Sequence, residues 1–203
     1  MSRLSLIALS SIVLLAGCDT GTSPDKQSQT ETPAPTATAS DEVPPPVPGE
    51  IVRTMAGTML PELTLTDPEG NTLDTVELKG TPVLMNLWAT WCAPCKKEMP
   101  LLDNLADQLG DDVKVLTVSQ DSEDKVEEVA EYFAESGFRN LEQWLDPKSD
   151  LGVEFAQGGL LPTTILFDAE GRELLRVAGD YDWDSEEAIA AIREAIAEGQ
   201  NAE

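Results

Sequence analysis

The sequence predicts an α/β domain built on a mixed sheet. A short, nearly continuous apolar run at 82–88 has the look of a strand buried on both faces, and 113–118 and 163–167 read as two further buried strands. Between and after them, residues 95–109, a stretch from about 123 to 137, and 185–198 repeat their apolar positions at helical spacing. Turn-rich strand pairs stand at both ends of the series, so helices alternate with strands and cover one sheet.

Leu63-Thr64-Leu65-Thr66 and Thr72-Leu73-Asp74 flank the turn sequence Asp67-Pro68-Glu69-Gly70-Asn71, which predicts an opening β-hairpin with a loop of several residues. Pro82 stands at the first position of the next strand, where a missing N–H is tolerated. The helix over 95–109 carries Leu101, Leu102, Leu105 and Leu109 and stops at Gly110; a buried strand follows at 113–118. A strongly acidic helix then starts near Glu123, with Ser122 or Asp121 as its N-cap, Val126, Val129, Ala130 and Phe133 inward, and Gly137 as its stop. Its charged face reads as solvent-facing. Residues 150–155 form a short helix, 163–167 the third buried strand, and Ala169-Glu170-Gly171-Arg172 a turn into a strand at 173–177. The last helix, 185–198, is apolar at Ile189, Ile192 and Ile196. One domain over 53–203 is expected, since roughly 150 residues suffice for a single core, and no internal repeat is apparent.

Composition removes many activities. Lys+Arg 13 against Asp+Glu 38 gives a net charge of −25, which argues against nucleic acid as a partner, because phosphate binding needs clustered cations. There is no His, so a Ser-His-Asp triad, a Cys-His dyad, a His-ligated zinc or copper centre and an HExxH helix are excluded. No Gly-Lys-Ser/Thr sequence occurs and Gly158-Gly159 is the only close glycine pair, which removes the P-loop and the dinucleotide fingerprint. The chemistry is left to Cys, carboxylates, Lys and Ser/Thr.

Residues 1–17 read as an export leader: Arg3 is a short cationic start, the apolar run from Leu4 to Leu15 is too short to span a bilayer, and small residues precede Cys18. Leu15-Ala16-Gly17-Cys18 resembles the lipobox of bacterial lipoproteins, which implies that Cys18 is acylated and becomes the first residue; an ordinary secretory leader beside an incidental cysteine is the alternative. Asp19 matches a pattern that retains lipoproteins in the inner membrane of Gram-negative bacteria. The expected location is the periplasmic side of a membrane, held by lipid. Residues 18–52 carry seven of the 14 prolines and no aromatic, and are expected to be a disordered tether.

Trp91-Cys92-Ala93-Pro94-Cys95 lies between a buried strand and a helix start. A thiolate at a helix N-terminus is stabilised by free N–H groups and the macrodipole, and two intervening residues allow the pair to form and open a disulfide. Pro94 fits an early helix position, and Lys96 and Lys97 add positive charge. Cys92 is assigned as the attacking thiolate and Cys95 as the resolving thiol. A static disulfide and half of a metal site are the alternatives; the first closes almost no loop, and the second lacks ligands.

The blocks Asn86-Leu87-Trp88-Ala89-Thr90-Trp91-Cys92-Ala93-Pro94-Cys95-Lys96-Lys97-Glu98-Met99-Pro100, Gly159-Leu160-Leu161-Pro162-Thr163-Thr164 and Phe167-Asp168-Ala169-Glu170-Gly171 resemble the TlpA/ResA group of membrane-anchored thioredoxin-like proteins over about residues 57–195. The resemblance implies a thioredoxin fold with an N-terminal hairpin and a helix-and-strand insert within 110–150. It implies a redox-active Cys92–Cys95 disulfide, and a cis Leu161–Pro162 peptide against it, with the Leu161 backbone free to pair with a substrate strand. Asn86 stands where thioredoxin itself has a buried Asp. Glu98 matches an acid of the ResA kind that tunes Cys95 or moves its proton, the alternative being an exposed carboxylate favoured by the helix dipole. Trp88 is expected in the core, Trp91 against substrate, and Trp144 and Trp183 in packing. No cofactor or metal is implied. The implied partners are exported disulfide proteins, such as apocytochrome c or copper-site cysteines, and a membrane donor of dithiols. Copper delivery and thiol peroxidase activity are the rival functions.

Overall fold

The structure, a computed structural model, describes residues 47–53 and 55–201. The leader 1–17, Cys18, Asp19 and the tether as far as residue 46 lie outside the described residues. Eight strands share one sheet: β1 (Ile51–Val52), β2 (Thr64–Thr66), β3 (Thr72–Asp74), β4 (Val83–Trp88), β5 (Lys114–Ser119), β6 (Gln143–Leu145), β7 (Thr163–Phe167) and β8 (Glu173–Ala178). Their order is β1-β8-β7-β4-β5-β6-β2-β3, with β4, β5 and β6 mutually parallel and the other pairings antiparallel. The helices are α1 (Ala93–Leu109), α2 (Val126–Ser136), α3 (Asp150–Phe155) and α4 (Glu186–Asn201).

All six residues of β4 are buried, as its nearly continuous apolar run predicts, because the sheet is covered on both sides. The strand's period of two divides them between two cores. Leu84 and Trp88 pack with Met99, Leu102 and Leu105 of α1, Phe133 of α2 and Ile192 of α4. Val83, Met85 and Leu87 pack with Leu65 of β2 and with Leu151 and Phe155 of α3. Asn86 shares the parity of Leu84 and Trp88 and so faces α1, where it bonds Glu98. The insert implied within 110–150 is α2 followed by β6, which extends the sheet beyond β5 and receives the hairpin strand β2.

Two details depart from the sequence reading, and a third, inside α1, adds to it. The tether is expected to run through residue 52, yet Ile51 and Val52 pair with Val177 and Arg176, and the Gly49 N–H donates to the Ala178 carbonyl at 2.8 Å. A two-residue strand amid prolines leaves no periodic signal, and the exposed edge of β8 recruits it. Asp121 and Ser122 do not cap α2: a single tight turn, Glu123–Lys125, precedes that helix, Ser122 bonds Asp124, and Asp121 turns inward. Pro100 lies inside α1 and cannot donate to the Lys96 carbonyl; the Tyr132 hydroxyl from α2 donates to that carbonyl instead, at 3.4 Å. The remaining ends differ by one to three residues, as α4 does in running on to Asn201.

Candidate active site

The chain leaves β4 at Trp88, whose carbonyl accepts from the Gln120 N–H at 2.8 Å, and the Cys92 N–H then closes a turn on the Ala89 carbonyl at 3.0 Å. Cys92 is the N-cap of α1 and its Sγ accepts from the Cys95 N–H at 3.2 Å, with Pro94 in the first turn, where its lack of an N–H costs no helical bond. Cys92 and Cys95 are disulfide-bonded, with Cα atoms 5.3 Å apart. Cys92 keeps 5% of its surface exposed and Cys95 none, so an approaching thiol has Cys92 as its target. The free amides of the first turn and the macrodipole favour a thiolate at that same atom once the bond opens.

The two lysines serve differently from the sequence reading. Lys97 Nζ lies 3.3 Å from the Asp180 carboxylate, and Lys96 Nζ lies 5.1 Å over the Tyr132 ring. Lys97 is thus paired with an acid, while Lys96 keeps its charge beside the ring. The loop before the pair is held by Asp121 from the end of β5. Its carboxylate accepts from the Thr90 N–H at 2.8 Å, the Thr90 hydroxyl at 2.7 Å and the Ser119 hydroxyl at 2.7 Å. Sequence reading takes Asp121 only as a possible helix cap; a buried acid satisfied by a residue 31 positions away has no local signature.

The Leu161–Pro162 peptide is cis, as the resemblance implies, and the Pro162 carbonyl accepts from the Gly179 N–H at 2.8 Å. Leu161 itself enters no backbone–backbone hydrogen bond among the described residues. Beside it a groove of about 410 Å3 is lined by Trp91, Gln120, Val153, Ala156, Gly159 and Leu161. Trp91 is 70% exposed, whereas Trp88 and Trp183 are buried, and Trp144, partly buried, donates from Nε1 to Glu142 at 2.7 Å.

Glu98 is not an exposed helix-start carboxylate. It is 1% exposed, accepts from Asn86 Nδ2 at 2.7 Å and from the Tyr181 N–H at 3.2 Å, and Asn86 Nδ2 also donates to the Thr164 hydroxyl at 2.9 Å. Burial pushes its carboxyl up to about 8, against the pull of the Asn86 and Tyr181 bonds, with the Asp180 charge adding to the rise. The Trp183 indole favours the carboxylate too, though its N–H completes no hydrogen bond. Glu98 lies one turn along α1 from Cys95 and also lines a cleft of about 240 Å3 with Lys97, Asp180 and Tyr181. A polar chain therefore runs from Thr164 on β7, through Asn86 on β4, to Glu98 beside the redox pair. The family resemblance singles out Glu98, but its partners sit 12 and 83 residues away.

Among the described residues no group of three or more His, Cys, Asp or Glu is arranged to hold a metal ion, and no helix is long and apolar enough to cross a membrane.

Comparison with known proteins agrees with this geometry. The family model described as the AhpC/TSA family matches residues 56–193. The thiol:disulfide interchange protein DsbE of Vibrio cholerae is 31% identical over 137 residues, covering 66% of this chain and 71% of that protein. The thiol-disulfide oxidoreductase ResA of Bacillus cereus is 28% identical over 132 residues, covering 61% of this chain and 70% of that one. The chain spans about two thirds of the length of these curated relatives. Among solved structures, the exposed lipoprotein thioredoxin Etrx1 of Streptococcus pneumoniae aligns at a TM-score of 0.57 and 25% identity, covering 66% of this chain and 99% of that one.

Proposed function

The chain belongs to the AhpC/TSA family, among its thioredoxin-fold thiol-disulfide oxidoreductases, and from that premise we propose that it is a membrane-tethered reductase of disulfides in exported client proteins. The observation that carries the reading is the Cys92–Cys95 disulfide across the first turn of α1, with the more accessible sulfur accepting the helix's own N–H.

In the reduced protein the Cys92 thiolate attacks one sulfur of a client disulfide. The client S–S bond breaks, and the departing sulfur leaves as a thiolate and takes up a proton. Cys95 then loses its proton and attacks Cys92 Sγ, which closes the Cys92–Cys95 bond and expels the second client thiolate. The client gains two electrons and two protons, and the protein ends oxidised. Glu98, one turn beyond Cys95 and titrating near 8, is the group assigned to exchange the Cys95 proton near neutral pH. Exported compartments are oxidising, so an external dithiol donor must return the two electrons.

The lipobox-like Leu15-Ala16-Gly17-Cys18 and the proline-rich stretch after it support attachment through an acylated Cys18 facing the periplasm, and a similar structure being that of an exposed lipoprotein supports the same reading. Asp19 favours the inner membrane. Apocytochrome c cysteines and copper-site cysteines are the client classes implied by the family resemblance.

The test is the reduction potential of the pair in the full chain, read by thiol alkylation across defined dithiol buffers. A two-electron transition near or below about −250 mV is expected; a value near about −120 mV would make the protein a disulfide donor, and no reversible transition would remove the oxidoreductase reading altogether. The Cys95→Ser variant should accumulate mixed disulfides with clients, and a Cys18→Ser variant should lose acyl label and membrane association.

A further inference from the structure

We propose that the client segment this protein prefers carries an apolar residue on one side of its cysteine and a lysine or arginine on the other, an inference that rests on the oxidoreductase reading of the Cys92–Cys95 pair. Trp91, beside Cys92, borders two unlike depressions. One is the groove of about 410 Å3 shared with Val153, Ala156 and Leu161, in which Gly158 and Gly159 contribute no side chain. Val153 on α3 is 83% exposed, and Leu160 adds further exposed apolar surface. Exposed apolar side chains gathered beside a reactive bond mark a contact surface, and Leu161, which makes no backbone–backbone hydrogen bond among the described residues, borders the same groove.

The other depression, of about 300 Å3, lies between Trp91 and α2. Glu128, Glu131 and Glu135 recur at the three- and four-residue spacing of one helix face and line it together with Lys96 and Lys125. The lysines do not neutralise it. Lys125 is paired with Glu128, and Lys96 keeps its charge over the Tyr132 ring, but these two lysines face Asp121 and three glutamates, so the lining stays net negative. The buried Asp121 is already bonded to Thr90 and Ser119. Glu131 and Glu135 are exposed and make no ion pair among the described residues. The acidic face that the sequence assigns to solvent thus flanks the redox pair.

Cys92 adjoins the tryptophan common to both depressions. A client held to Cys92 by a mixed disulfide and lying extended advances about 3.3 Å per residue, so side chains one to three positions from its cysteine reach either side of Trp91. The apolar groove removes an apolar side chain from water. The glutamates attract a cation, and a net negative lining raises the association rate of a cationic segment. An acidic client meets Glu131 and Glu135 instead, on a chain whose net charge of −25 already repels it.

The experiment follows reduction of synthetic peptide disulfides by the reduced full chain at low salt. The peptides place Val on one side of the cysteine and Lys, Gln or Glu on the other, with one Ser-for-Val control. Three protein variants are compared with the parent: Glu131→Gln/Glu135→Gln, Val153→Ser, and Glu186→Gln/Glu187→Gln at the exposed start of α4 as a control for bulk charge. All these positions are exposed, so the fold is retained. The expected result is reduction of the Lys peptide about tenfold faster than the Glu peptide. That ratio should fall towards one in Glu131→Gln/Glu135→Gln and persist in Glu186→Gln/Glu187→Gln. Val153→Ser should erase the advantage of Val over Ser. Equal rates for Lys and Glu peptides, or an equal loss of preference in the α4 control, would overturn the inference while the Gln peptide is still reduced. Failure to reduce even the Gln peptide would instead overturn the oxidoreductase reading.

Discussion

Glu98 and Glu173 are buried to the same degree, each with 1% of its surface exposed, and their surroundings are opposite. Glu173 on β8 receives both arms of the Arg176 guanidinium, from Nε at 2.8 Å and Nη2 at 2.6 Å, while Nη1 donates to the Phe155 carbonyl at 2.8 Å. Glu98 has two neutral donors and, in Asp180, a neighbour of its own sign. A buried acid that is fully paired holds strands and helices in place; one without a counter-charge stays responsive to protons. The unpaired acid is the one beside the cysteines.

The sharpest way to test this contrast is pH. Burial sets the folded Glu98 carboxyl at about 8, against 4.5 for the ordinary group. Below 4.5 both folded and unfolded chains hold the proton and Glu98 costs nothing. Between 4.5 and about 8 the unfolded chain ionises first, so stability falls as pH rises, and beyond about 8 the loss is complete. At about 1.4 kcal/mol per unit the loss is on the order of 5 kcal/mol. Denaturant titrations across this window should show that fall, and Glu98→Gln should remove most of it. A smaller slope of the same sign should remain, because burial also raises the Asp146 carboxyl.

Next in size, Arg176→Met strands Glu173 without its cation and should cost about 3–5 kcal/mol in the same assay at pH 7. Adding Glu173→Leu should recover much of that loss, since the uncompensated charge goes with it. A single Arg176→Met that cost nothing would dissolve the contrast between the two acids. Asp121→Ala should cost about 1–3 kcal/mol, the penalty for leaving the Thr90 and Ser119 donors unsatisfied, and should slow thiol exchange because Thr90 anchors the loop before Cys92. The smallest effect is expected of Asn86→Ala. Loss of the donated bond removes a pull on the carboxylate, so the Glu98 pKa should rise further, visible as a displacement of the pH midpoint of Cys95 alkylation.

Most of the fold was legible because its signals are local. The nearly continuous apolar run of β4, the leucine spacing and Gly110 stop of α1, and the Asp67-Pro68-Glu69-Gly70-Asn71 turn each announce one element. The pair Cys92 and Cys95 was legible for the same reason. What escaped depended on distant residues: β1 exists because β8 offers an open edge, Asp121 faces inward because Thr90 and Ser119 meet it there, and Glu98 is buried by Asn86 and the 180–183 loop. The likeness to known sequences, rather than spacing, supplied the cis Leu161–Pro162 peptide and the strand of the insert, whose helix its own apolar spacing had already marked.

Pro100 bears on how this sequence can change. The carbonyl it leaves vacant at Lys96 is the one that Tyr132 occupies, so the irregular turn of α1 and the anchoring of α2 are two halves of one device. A drift to alanine at position 100 would return the carbonyl to the helix and strand the tyrosine; a drift to phenylalanine at position 132 would orphan the carbonyl. The two positions are therefore linked through one exposed carbonyl, and a change at either alters the partner it has.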